Sequence, residues 1–204
     1  QLNVGSNLDM TGVTLSALKD NLSASLDIMA DVVRNPAFDK GEIEKLRARW
    51  LAQIEQEKAQ PVQLALRLLP PVMYGKGHAY GVPFTGSGEV DTIKALTRDD
   101  LTKFHQTWLR PDNATLFVAG DATMAEIKPL LERAFGDWRA PAGAVPKKNV
   151  AQVERPAKGR VILVDKPGSP QSLILAGHVA PPSGADNAVA INAMNDILGG
   201  QFTA

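Results

Sequence analysis

An α+β fold is what this sequence predicts, on three observations. Several segments place apolar residues three and four apart, the spacing of a helix with one buried face. Other short runs alternate, or are continuously apolar, as strands do. Strands and helices come in mixed clusters, not in strict βαβα order, which argues against a doubly wound parallel sheet. The expected architecture is a mixed or antiparallel sheet with helices packed on one face.

The elements follow in order. Gln1 to Asn7 reads as an extended lead into a strand within Met10–Leu18, where Val13 and Leu15 alternate with Thr14 and Ser16. Asp20 or Asn21 can cap a helix running to about Val33, with Leu22, Leu26, Met29, Ala30 and Val33 as its stripe. Asn35-Pro36 stops it, because proline disfavours the helical conformation in the residue before it. Asp39 with Glu42 resembles a capping box and opens a long helix, Gly41 to about Ala59. Ile43, Leu46, Trp50 and Ile54 mark its buried face, with Gln53 and Glu57 on or beside it. Gln60-Pro61 breaks this helix, and Pro61 suits the first turn of the next. That one carries Leu64, Leu68 and Val72 and is disturbed near its end by Pro70-Pro71.

Residues 75–88 hold five glycines and a proline and read as a long irregular loop. Thr97 with Asp100 starts a helix to about Leu109, Thr115–Ala119 is an apolar strand, and Thr123 with Glu126 caps a helix to about Phe135. Residues 140–158 are rich in Ala, Pro, Lys and Val without period and read as a linker. Two strands, Arg160–Val164 and Ser172–Val179, precede a helix over Asn187–Leu198 with Val189, Ile191, Met194 and Leu198 inward. The chain thus divides into 1–139, the C-terminal portion of a first α+β domain; 140–158, a linker; and 159–204, the beginning of a second. Both ends, at Gln1 and Ala204, are abrupt, so a fragment of a longer protein is expected.

Composition narrows the function classes. Lys+Arg and Asp+Glu are both 22, so no global field recruits nucleic acid or an anionic membrane. No apolar run approaches the roughly 18 residues of a membrane span. The absence of cysteine removes disulfides and thiolate chemistry together. The three histidines, His78, His105 and His178, lie on separate elements, and none has a His or Glu three or four residues away. A zinc hydrolase needs three protein ligands and an open position. One isolated histidine per element preforms no such site. His105 reads as structural, His78 as a packing or hydrogen-bonding loop residue, and His178 receives no role. No catalytic residue is assigned.

The order of several short motifs is more specific. They are Arg34-Asn-Pro-Ala-Phe38, Tyr74-Gly75, Tyr80-Gly81, Phe104-His105, Trp108-Leu-Arg-Pro-Asp-Asn113 and Val118-Ala-Gly-Asp121. From Leu8 to Gly136 the chain resembles the second half of the first domain of an insulinase/pitrilysin-type zinc metallopeptidase, whose fold is of the LuxS/MPP-like type. The inverted zinc motif H-x-x-E-H is nowhere in the 204 residues. The resemblance places Gln53 where the family has its third zinc ligand, a Glu, and Leu46 at a second acidic position seven residues earlier. A neutral amide suits zinc poorly beside a carboxylate. Glu57 could take the ligand's place only after a four-residue slip, which Asn35-Pro36 and Phe38 resist.

The resemblance therefore implies a non-catalytic half. It would enclose an extended peptide and pair with a half or subunit bearing H-x-x-E-H, which would hold the zinc. Two alternatives stay open: an active zinc endopeptidase whose H-x-x-E-H lies upstream of residue 1, and a purely structural assembly subunit. The family's bacterial members point to the periplasm.

Overall fold

A computed structural model describes residues 1–154, 158–182 and 184–200. Strands β1 (Leu2–Ser6) and β2 (Thr11–Leu15) form an antiparallel ribbon with Val4 opposite Val13 and Gly5 opposite Gly12. Its turn is closed by the Asn7 side chain, whose Oδ1 accepts from the amides of Asp9 (2.8 Å) and Met10 (2.9 Å). Seven helices follow among the described residues: α1 (Leu22–Arg34), α2 (Lys40–Ala59), α3 (Pro61–Tyr74), α4 (Val90–Ala95), α5 (Arg98–Trp108), α6 (Met124–Phe135) and α7 (Ala188–Asn195).

Two packing units result. In the first, Leu26 and Met29 of α1 meet Ile127 of α6, and Leu2, Val13 and Leu15 of the ribbon close over them. Helices thus cover one face of the ribbon, and the alternation of Val13 and Leu15 against Thr14 falls as expected. In the second, α2 packs on α3 and α4 around fully buried Ile54, Pro70, Pro83 and Ser87. His105 on α5 ties that helix to the end of α1 and to the α1–α2 connection. Its Nε2 lies 2.7 Å from the Val33 carbonyl oxygen, and its ring meets the edge of Phe38 with centroids 6.0 Å apart. Phe38 holds a positive φ of 46°. A bulky residue rarely adopts this; Arg98, donating to the Ala37 and Phe38 carbonyls, holds the turn in place.

Helix starts follow local chemistry. Thr97/Asp100 and Thr123/Glu126 both close reciprocal capping boxes. Asp39 accepts from the Glu42 amide, but Glu42 turns to Lys45 (2.7 Å), so this cap is one-sided. Asn21 makes no side-chain cap, because a 3₁₀ turn over Lys19–Asn21 already leads into α1.

Several expectations are corrected. Helix α3 runs through Pro70 and Pro71 to Tyr74. Pro70 leaves the Leu66 carbonyl without its helical donor, and the amide of Phe84, from the following loop, supplies one at 3.0 Å. Leu46 lies outside the buried face of α2 and is 48% exposed; that face is Ile43, Arg47, Trp50, Ile54 and Glu57. Arg47 reaches off the helix to the carbonyls of Ile93, Lys94 and Leu96. Helix α4 fills the stretch between the glycine-rich loop and α5.

Among the described residues, 115–119, 160–164 and 172–179 join no ladder. Their apolar side chains stay in solvent, with Phe117 at 89%, Leu163 at 92% and Ile174 at 91% exposure. Helix α7 carries Val189 and Met194 outward, not inward, and Leu198, in the π turn Asp196–Gly200 that continues it, is also exposed. Residues 155–157 of the expected linker, and Ser183 and 201–204 of the expected second domain, lie outside the described residues.

Candidate functional site

The site to test is the face of α2 that carries Gln53. Leu46 and Gln53, seven residues apart, are separated by about 700° of helical rotation, within about 20° of two full turns. They therefore share one stripe, and both are exposed. Gln53 is not idle. Its amide nitrogen donates to Glu57 Oε1 at 3.1 Å.

Glu57 is the centre of a buried polar network. Its side chain is 8% exposed and pairs with Arg67 of α3, itself 5% exposed, at 2.9 Å. Ser87 Oγ donates to the same Glu57 oxygen at 2.6 Å and accepts from Arg67 at 2.6 Å. Arg67 also donates to the Gly88 carbonyl (2.7 Å) and to Glu89 (3.4 Å). Trp50 Nε1 donates to the Ser87 carbonyl at 2.8 Å. The network thus joins α2, α3 and the 75–89 loop through fully partnered buried groups, which is what a buried charge requires. Burial alone would push the Glu57 carboxyl up, but the hydrogen bonds from Ser87, Arg67 and Gln53 outweigh it and hold the group below the usual carboxylate range.

The polar groups of this face are engaged with one another. Gln53 faces Glu57 through its donor end, not its carbonyl oxygen. Glu57 has one oxygen committed to Arg67 and Ser87 and the other to Gln53. Among the described residues, no three of His, Cys, Asp and Glu converge as ligands would. A ligand oxygen on Glu57 would have to leave the buried Arg67 guanidinium.

The histidines stand apart. His105 joins α5 to the end of α1 and to Phe38. His78 Nδ1 accepts from the Tyr80 amide at 3.0 Å, and its Nε2 faces the Ala151 carbonyl at 3.1 Å, an arrangement that needs the proton on Nε2. His178 Nδ1 faces the Val179 carbonyl oxygen at 3.0 Å and meets neither of the others.

The short motifs gain structural reasons. Tyr74-Gly75 and Tyr80-Gly81 meet in space: the tyrosine rings lie 5.7 Å apart, and a Cβ on Gly81 would sit 2.0 Å from the Gly75 carbonyl oxygen. Arg110, inside Trp108–Asn113, is 4% exposed; it holds Asp112 through two bonds and donates to the carbonyls of Pro141 (3.1 Å) and Gly143 (2.8 Å). It therefore fixes the start of the segment that follows α6. Further on, Lys148 donates to the Leu8 carbonyl (2.5 Å), Asn149 to that of Gly77 (3.1 Å), and the Ala79 amide to that of Asn149 (2.8 Å). Tyr80 Oη donates to Asp9 at 2.6 Å.

A second feature lies beside the network. Gln53, Gln56, Glu57, Gln60 and Gln63 line a hollow of about 230 Å3, open to solvent, at the elbow between α2 and α3. Among the described residues, no helix is long and apolar enough to cross a membrane.

Comparison with known proteins places this geometry. The zinc protease YmxG of Bacillus subtilis, described as uncharacterized, is 24% identical over 204 residues, covering 100% of this chain and 47% of that protein. The chain therefore spans about half the length of the curated relatives it matches. A peptidase M16 inactive domain from Pseudomonas fluorescens superposes with a TM-score of 0.62 at 24% identity, over 77% of this chain and 36% of the other. The first half of the periplasmic protease PqqL from Escherichia coli gives a TM-score of 0.59 at 20% identity, over 75% and 33%. The family model "Insulinase (Peptidase family M16)" matches residues 1–81, and "Peptidase M16 inactive domain" matches residues 95–204. With the second match alone covering more than half its length, the chain belongs to peptidase family M16, the insulinase family.

Proposed function

We propose that this chain is a segment of a non-catalytic half of an M16 protein, one that encloses an extended peptide and pairs with a half bearing H-x-x-E-H. In this reading Gln53 stands where a ligand Glu would stand, Leu46 replaces a second acidic residue, and zinc belongs to the catalytic partner. The observation that carries it is the Gln53 amide donating to a Glu57 whose other oxygen is already held by Arg67 and Ser87. The polar chemistry at this point of α2 is spent on holding the fold together.

The same reading divides the chain into 1–139, the linker 140–158 and the opening of a second domain, 159–204. Arg110 supports the first boundary by anchoring residues 141 and 143. The likeness to a periplasmic protease supports a periplasmic location.

The experiment is zinc content by elemental analysis of the full-length protein, alone and with any co-purifying subunit, with cleavage of an unstructured peptide assayed in parallel. No zinc and no cleavage by the lone protein, with both present in the pair, is expected. Stoichiometric zinc with chelator-sensitive cleavage by the lone protein would overturn the reading and favour the active endopeptidase with its motif upstream of residue 1. No zinc or cleavage even in the pair would favour a structural subunit.

A further inference from the structure

We infer that the glutamine-lined hollow at the α2–α3 elbow is a seat for uncharged peptide main chain. This rests on the peptide-enclosing reading above and locates one contact within it.

Four of its five lining side chains are primary amides: Gln53, Gln56 and Gln60 from α2 and its C-terminal edge, and Gln63 from the first turns of α3. The fifth, Glu57, is compensated from behind by Arg67. The lining therefore presents no cation to attract an anion, and no free carboxylate pair to attract a metal or an amine. It contains no apolar side chain. What it offers is a dense set of groups that both donate and accept. The ligand that matches this alternation without charge is the peptide backbone, with one N–H and one C=O per residue.

Dimensions agree. Gln53 to Gln60 spans about 10.5 Å along the helix axis, the length of about three extended residues. The hollow is about 230 Å3 and open to solvent, below the roughly 300–1,000 Å3 of an enclosing small-molecule site, so a short stretch of a chain passing over it fits better than a whole ligand. Gln56 and Gln60 are exposed and make no side-chain hydrogen bond among the described residues, so their amides are available without dismantling the Glu57 network. This separates them from Gln53, which is engaged.

The test uses the full-length protein with any subunit that co-purifies. The probe is a fluorescein-labelled, uncharged peptide of Gly, Ser, Ala and Thr, 12 residues long by design (about 40 Å extended), read by anisotropy. Gln56→Glu/Gln60→Glu keeps shape and removes two amide donors; Gln63→Ala is a second, independent variant. Circular dichroism checks that both variants fold. A dissociation constant raised at least tenfold in the double variant, and raised in Gln63→Ala, is expected. Binding to the parent that both folded variants retain at full strength overturns the seat and leaves the peptide-enclosing reading standing. No binding to the parent itself overturns both.

Discussion

Helices α5 and α6 and the stretches 160–164 and 172–179 are all legible in the sequence, yet only the helices form. Each helix satisfies its backbone from within and is started by a reciprocal Thr–acid box. The extended stretches need a neighbouring strand to satisfy theirs, and among the described residues they have none. Val161 at 99% and Leu163 at 92% exposure, against Ile127 at 4% and Ala134 at 5% in α6, measure the difference. The lesson is that an apolar run specifies a helix locally but a strand only in company.

Five tests press on this contrast. The largest effect is expected at Arg67→Leu, which strands a buried Glu57 and should cost about 3–5 kcal/mol in urea unfolding; a loss below about 1 kcal/mol would mean that the network behaves like a surface pair. Next, Ile54→Ala empties a fully buried site in α2 and should cost about 2–5 kcal/mol. Thr123→Ala removes one side of the α6 box and should cost about 0.5–2 kcal/mol.

The Glu126 carboxyl on the other side of that box is pulled down to about 2, first by the Thr123 backbone amide and then by Lys19 and the Thr123 hydroxyl. Its folded value lies below its unfolded one, so its stabilisation is complete above about pH 4.5 and is lost as pH falls towards about 2. Glu126→Gln should therefore flatten the acid limb of thermal stability in that window and leave neutral pH less stable. The smallest effect is expected for Leu163→Ser with Ile174→Ser in the 204-residue chain, within about 0.5 kcal/mol each. A loss above about 1 kcal/mol would show these residues packed in solution and remove the contrast.

Legibility in the sequence follows the same division. The two boxes, the Asn-Pro stop and the α2 boundaries rest on residues within four positions of each other, and these are read directly. The Glu57–Arg67–Ser87 network joins positions 10 and 20 apart and has no local pattern. One signal was present: Arg67 is a lone charge inside Leu64–Pro71, an otherwise apolar run, and a charge there needs a partner if the run is buried. Leu46 was misplaced because it lies only about 40° from Trp50 around the helix. At that angle, periodicity does not separate the edge of a buried face from its centre.

The Trp50 hydrogen bond to the Ser87 carbonyl has a practical use. The protein has three tryptophans, and only Trp50 is bonded to the glycine-rich loop among the described residues. In a Trp108→Phe/Trp138→Phe background its emission would be a native optical gauge of that loop. It would shift to the red whenever residues 85–89 lift from α2 and water reaches the indole, so the loop's motion could be followed in real time without attaching a dye.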